Sequence, residues 1–129
     1  KKESENLKLA KKYSEMYGIK YIPYNGNLNF IKENEKIYFG ESLLETIFTP
    51  GHSPGHISLV SNKNKIIISG DVIFKESIGR TDLPGGDHET LICSIKQSIL
   101  KYNDDFTICP GHGPNTKIDY EKKYNPFLN

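Results

Sequence analysis

Three short loops carry side chains able to hold a metal ion. In Thr49-Pro50-Gly51-His52-Ser53-Pro54-Gly55-His56, two prolines and two glycines confine the backbone and project imidazoles from the loop. In Ser69-Gly70-Asp71, a glycine at the end of an apolar strand allows a sharp turn that aims a carboxylate out of the sheet. In Cys109-Pro110-Gly111-His112-Gly113-Pro114, a histidine is again held between glycine and proline. Each loop alone has an ordinary reading: a loop histidine, or an aspartate serving as a turn residue or helix cap. Together they place a metal-type ligand at the C-terminal end of each of three predicted strands, the end at which open α/β sheets build their sites. Two imidazoles and a carboxylate suit zinc, iron or manganese.

The elements that must position these loops follow from periodicity. Leu7, Ala10, Tyr13, Ser14 and Tyr17 share one helical face within Glu3 to Tyr17, and Gly18 is a natural stop. From Ile19 to Phe74 the pattern changes to short β-type segments, with strands predicted at Ile19 to Tyr24, Lys36 to Phe39, Leu43 to Phe48, Ile57 to Ser61 and Lys65 to Ser69. Asn62-Lys63-Asn64 reads as the turn of a hairpin. Ile66-Ile67-Ile68 lacks alternation and reads as a strand covered on both faces. A helix opening at Asp87 or His88 would supply cover through Leu91, Ile92, Ile95, Ser98 and Ile99 and end near Tyr102-Asn103. A last strand, Phe106 to Cys109, precedes a helical turn or two from Ile118 to Tyr124, stopped before Pro126. A meander followed by helix, strand and helix is one layer pair of an α/β sandwich.

Composition narrows the function classes. The 129 residues suit one domain or part of one, and 17 basic against 16 acidic side chains leave a formal charge of +1 with no basic block. Neither this balance nor the eight scattered tyrosines suits a nucleic-acid partner. The longest apolar runs are strand-length, far short of the roughly 20 residues of a membrane span. Lys1 to Asn6 has neither an apolar signal region nor an initiator methionine, so the chain is expected to begin within a longer protein. Cys93 and Cys109 lack framework spacing and read as reduced, small buried hydrophobes of a cytoplasmic protein. His56 is expected to pack at a strand start or orient the first loop, and His88 to be a solvated or capping residue. Arg80 and Asp82 are expected to pair and brace the loop beneath Asp71, although Arg80 could instead face an anionic substrate.

The three loops resemble the third, fourth and fifth metal motifs of the metallo-β-lactamase superfamily, in Thr49 to His56, Gly70-Asp71 and Pro110-Gly111-His112, with similar order and spacing. Gly79-Arg80-Thr81-Asp82-Leu83-Pro84-Gly85-Gly86-Asp87 is similar to a segment of its glyoxalase II-like and persulfide dioxygenase-like branches, and Gly111-His112-Gly113-Pro114 with Asn125-Pro126-Phe127-Leu128 resembles short bacterial members. The resemblance runs from about Leu43 onward. It implies the α/β fold of the C-terminal half of a metallo-β-lactamase-type αββα sandwich. It also implies that His52 binds a first metal, that catalytic Asp71 bridges two, and that His112 binds the second.

The superfamily's principal His-x-His-x-Asp-His motif is not in this sequence, whose histidines are His52, His56, His88 and His112. Residues 1–129 are therefore expected to be a single partial domain, with the missing N-terminal half as its partner and a homodimer as a further possibility. Two zinc ions about 3.5 to 4 Å apart would lower the pKa of a shared water toward about 7 and supply hydroxide to a small-molecule thioester of the hydroxyacylglutathione type. The alternative within the resemblance is a persulfide dioxygenase with one Fe2+ held by two His and one Asp, His52 and Asp71 among them. Outside enzymes, the alternative is an inactive packing or dimerising remnant.

Overall fold

The computed structural model describes residues 4–129. Helix α1 spans Ser4–Met16. Glu3, the expected start of that helix, lies outside the described residues. Gly18 closes the helix at φ +66°, with its amide donating to Glu15 and that of Ile19 to Ser14. The strand expected at Ile19 to Tyr24 does not form. Pro23 lacks an amide proton for a ladder, and Ile19, Ile22 and Tyr24 are exposed without a strand beside them.

The meander follows as β1 (Lys36–Phe39), β2 (Ser42–Phe48), β3 (Ile57–Ser61) and β4 (Ile66–Gly70), with Asn62 to Asn64 in the turn between β3 and β4. A short hairpin, β5 (Ile73–Phe74) and β6 (Ser77–Ile78), leads toward α2 (His88–Ser94), which continues as a π-helical stretch over Ile95–Ile99. Strands β7 (Thr107–Pro110) and β8 (Thr116–Lys117) and helix α3 (Ile118–Tyr124) complete the order. The sheet is six-stranded, β1-β2-β3-β4-β7-β8, antiparallel except where β4 meets β7. Two antiparallel steps make β2 and β4 co-directional, and β7 is parallel to β4. The C-terminal ends of the three strands that precede the candidate loops therefore lie at one end of the sheet.

Register decides which side chains form the core. Val60 lies opposite Ile67, and Ile67 opposite Ile108; all three are buried beneath Leu91, Ile95 and Ile99 of the helix. The neighbouring row, Leu59, Ile68 and Cys109, points to the other face. Covering of Ile66 to Ile68 on both faces is not what this chain shows: Ile67 is fully buried, whereas Ile68 is 43% exposed because α2 packs on one side only. Cys93 is likewise exposed rather than buried, since it falls between the turns that carry Leu91 and Ile95. The regular helix also ends earlier than expected. The amide of Leu100 reaches back to Ile95, five residues away, which keeps Ile99 on the buried stripe.

Among the described residues no helix is long and apolar enough to cross a membrane.

Candidate metal centre

The first loop is fastened at several points. Thr49 N donates to His56 O across its base, the amide of Asp87 donates to Gly51 O, and Ser94 Oγ donates to Pro50 O. Asp87 also caps α2, its carboxylate accepting from Thr90 N at 2.7 Å, and that hydrogen bond holds its pKa below the ordinary value. Within this frame His52 Nδ1 lies 2.8 Å from the carbonyl oxygen of Arg80. A carbonyl only accepts, so Nδ1 carries the proton and the neutral ring keeps its lone pair on Nε2.

That Nε2 faces Asp71 Oδ2 at 3.8 Å, and His112 Nε2 faces Asp71 Oδ1 at 3.8 Å. Both separations are too long for hydrogen bonds. They suit a shared cation, because two metal–ligand bonds of about 2.0 to 2.2 Å span about 3.4 Å at the tetrahedral angle and about 4.2 Å when collinear. Among the described residues no group of three or more His, Cys, Asp or Glu side chains converges on a single point as a self-sufficient metal site. Asp71 instead faces one imidazole through each oxygen.

Two glycines make Asp71's position sterically possible. A Cβ on Gly111 would lie 2.4 Å from Asp71 Oδ1, and Gly70 turns the chain at φ +55° with the ring of His56 close against it. His56 Nδ1 is 3.1 Å from Thr49 Oγ1, which in turn is 2.9 Å from Ser58 Oγ. His56 thus braces the first loop and the turn before Asp71, and its contacts are those of a packed histidine. His88 is exposed at the start of α2, away from this cluster. Arg80 and Asp82 pair through Nε–Oδ1 and Nη2–Oδ2, each 2.7 Å; the guanidinium holds the Asp82 carboxyl down to about 2, and the carboxylate raises the Arg80 pKa. The pair braces the segment whose carbonyl orients His52. Cys109 is half-buried and, like Cys93, free.

The cleft above these groups has a volume of about 400 Å³ and includes His52, Asp71, Phe74, Lys75, Arg80 and His112 in its lining. Phe74 and Lys75 come from the β5–β6 hairpin and were not among the residues singled out from sequence. Their only signal is the pair of short apolar runs around Lys75-Glu76, too brief to show a period.

A sequence model of the metallo-β-lactamase superfamily matches residues 2–112. The chain belongs to the metallo-β-lactamase superfamily. Hydroxyacylglutathione hydrolase GloC of Haemophilus influenzae is 47% identical over 100 residues, which cover 78% of this chain and 47% of that protein. The probable metallo-hydrolase YqgX of Bacillus subtilis is 45% identical over 101 residues, covering 78% of this chain and 48% of that protein. The chain thus spans about half the length of these curated relatives. A solved structure of TTHA1623 in a di-iron-bound form superposes with a TM-score of 0.86 at 31% identity, over 96% of this chain and 60% of the other. The sheet with α2 on one face is accordingly the α/β architecture of the metallo-β-lactamase fold.

Proposed function

We propose that this chain carries one side of the metal centre of a metal-dependent hydrolase that cleaves thioesters of the hydroxyacylglutathione type, with His52, Asp71 and His112 as ligands and Asp71 shared between two ions. The observation that carries this reading is the symmetry about Asp71, one imidazole 3.8 Å from each carboxylate oxygen. The likeness to hydroxyacylglutathione hydrolase GloC supports the substrate class. Zinc is the proposed metal, and the di-iron form of TTHA1623 makes iron the alternative.

When bound, the ions would supply a hydroxide nucleophile at neutral pH and polarise the carbonyl. The chain's own residues do the positioning. Arg80's carbonyl keeps His52 in the tautomer that offers Nε2, Phe74 backs His112, and Gly111 leaves room for Asp71 Oδ1. Asp71 is also the catalytic group proposed to relay a proton to the leaving thiolate. Neither serine nor cysteine is needed as nucleophile. Each half-site has two ligands from this chain where catalytic zinc takes three from protein, so further ligands are proposed to come from a partner segment bearing the His-x-His-x-Asp-His motif.

The test is metal content after dialysis of the complete protein against a mild chelator. Asp71→Ala should lose both ions, His52→Ala and His112→Ala one each, and His56→Ala none, although His56→Ala should unfold more easily. Equal metal content in wild type and Asp71→Ala would refute the bridging role. Iron with oxygen uptake, in place of zinc with thioester hydrolysis, would move the protein to the dioxygenase reading.

A further inference from the structure

The β5–β6 hairpin brings a lysine to the cleft, and a buried polar cluster in α3 fixes the turn on which it sits. Glu121 and Asn125 are both fully buried. Glu121 Oε2 accepts from Glu76 N at 3.0 Å and from Asn125 Nδ2 at 2.7 Å, while Oε1 accepts from Thr116 Oγ1 at 2.5 Å. Asn125 Nδ2 also donates to Ser77 O at 3.0 Å, and Tyr120 donates its hydroxyl proton to the Glu76 carboxylate. Three of these hydrogen bonds end on Glu76 or Ser77, the residues that follow Lys75, and the other two hold Glu121 in place to make them. Glu76 adopts φ +57°, an uncommon conformation for a side-chain-bearing residue, and the cluster holds it there.

Lys75 itself is exposed, its Nζ 5.2 Å from the centroid of the Tyr120 ring. It lines the metal cleft and also an adjoining depression of about 230 Å³ that includes Thr116, Lys117 and Tyr120. The two cations of the cleft differ in one respect. Arg80 is neutralised by both oxygens of Asp82, whereas no carboxylate of the described residues forms an ion pair with Lys75. A cation–π contact leaves the ammonium's hydrogen-bond donors free for an anion.

We infer that Lys75 is a specificity-determining residue that receives a carboxylate of the substrate's thiol half, at the end remote from Asp71. This inference rests on the proposed thioester hydrolysis and names the group of the substrate that is read. The reacting carbonyl lies between His52, Asp71 and His112. The thiol half extends past Phe74 toward the second depression and meets Lys75 at the junction of the two. Lys75 makes no contact with the reacting atoms, so its contribution is to binding and not to the chemical step.

The experiment uses the complete, metal-loaded protein and two substrates, a hydroxyacylglutathione and the same thioester with its glutathione carboxylates esterified. With Lys75→Gln, kcat/KM for the charged substrate should fall about ten- to hundredfold, carried by KM, with kcat changed less than about twofold. The esterified substrate should be unaffected, and Lys75→Arg should restore most of the loss. An equal loss on both substrates, or none, overturns the inference. If the wild type hydrolyses neither thioester, the functional reading fails by itself, and a binding measurement still decides this one. Glutathione titrated calorimetrically into the wild type should bind more tightly than into Lys75→Gln; equal binding, or none to either, overturns the assignment.

Discussion

The ring of Phe74 stacks on the imidazole of His112, with centroids 4.5 Å apart and planes inclined by 29°. His52 has a carbonyl to hold its ring, whereas His112 sits on an exposed loop and has this aromatic face. Removing the stack should cost about 0.5 to 1.5 kcal/mol of ring orientation, or roughly a two- to tenfold loss in affinity for the ion at His112. Phe74→Ala in the complete protein should therefore keep the metal stoichiometry at saturation but release one of two ions earlier in a chelator titration. Release of both ions together, or of neither, would remove Phe74 from the site.

That the three candidate loops come together was legible in the sequence for a specific reason. His52, Asp71 and His112 are polar residues fenced by glycine or proline at the ends of apolar strands, and both features survive in the bare sequence. Helix α3 was legible for the same kind of reason, with the residues Ile118 to Tyr124 followed closely by Pro126. The β5–β6 hairpin was not, because two-residue strands have no period and nothing about the type of Glu76 announces a positive φ. Strand β8, also two residues long, escaped in the same way. Ile19 to Tyr24 has the composition of a strand, but composition cannot supply the neighbour that a ladder requires.

Two glycines around Asp71 should respond differently to a methyl group. At Gly111 the added Cβ would meet the end of a side chain, Asp71 Oδ1, which can swing aside. Gly111→Ala should therefore fold but lose metal in the direction of Asp71→Ala. At Gly70 the backbone has φ +55° and the neighbour is the ring of His56, so Gly70→Ala should lose about 1 to 2 kcal/mol of stability in addition to any metal effect. Chemical denaturation and metal content measured on both variants check the distinction; equal loss of stability in the two would contradict it.

The Tyr120–Glu76 hydrogen bond gives a pH dependence with a definite sign. The carboxylate of Glu76, accepting from the phenol, pushes the Tyr120 pKa up to about 12, against an unfolded value of about 10. Below pH of about 10 the phenol is protonated in both states, and its contribution to stability is fully present. Between about 10 and about 12 the unfolded chain releases this proton while the folded chain keeps it, so the contribution falls as pH rises and is gone above the folded value. Ultraviolet titration should show one tyrosine ionising late, and Tyr120→Phe should abolish that component and flatten the wild-type loss of stability across the same window. If the component lost in Tyr120→Phe instead titrates near the ordinary tyrosine value of about 10, the bond does not persist in solution.

Expressed alone, residues 1–129 should bind metal weakly, show no thioesterase activity, and dimerise or aggregate. The ligand count accounts for the first two outcomes. Each ion would keep only His52 or His112 together with the shared Asp71, and among the described residues no third ligand converges on either position. Two protein ligands hold zinc poorly where three are usual. The sheet accounts for the third outcome. Ile68 is exposed on the face opposite α2, and Leu7, Ile22, Leu28, Phe30, Tyr38 and Phe39 are exposed as well, apolar side chains that a covering layer would take out of water. Covering that face and supplying the missing ligands are proposed to be one event, because a strand layer bearing His-x-His-x-Asp-His would do both. Co-expression with such a segment should therefore restore monodispersity, two bound metals and thioester hydrolysis together, read by size-exclusion chromatography, elemental analysis and thiol release. A monomeric 129-residue chain that binds two metals and hydrolyses the thioester without that segment would overturn the ligand count and require residues of this chain not yet placed at the site.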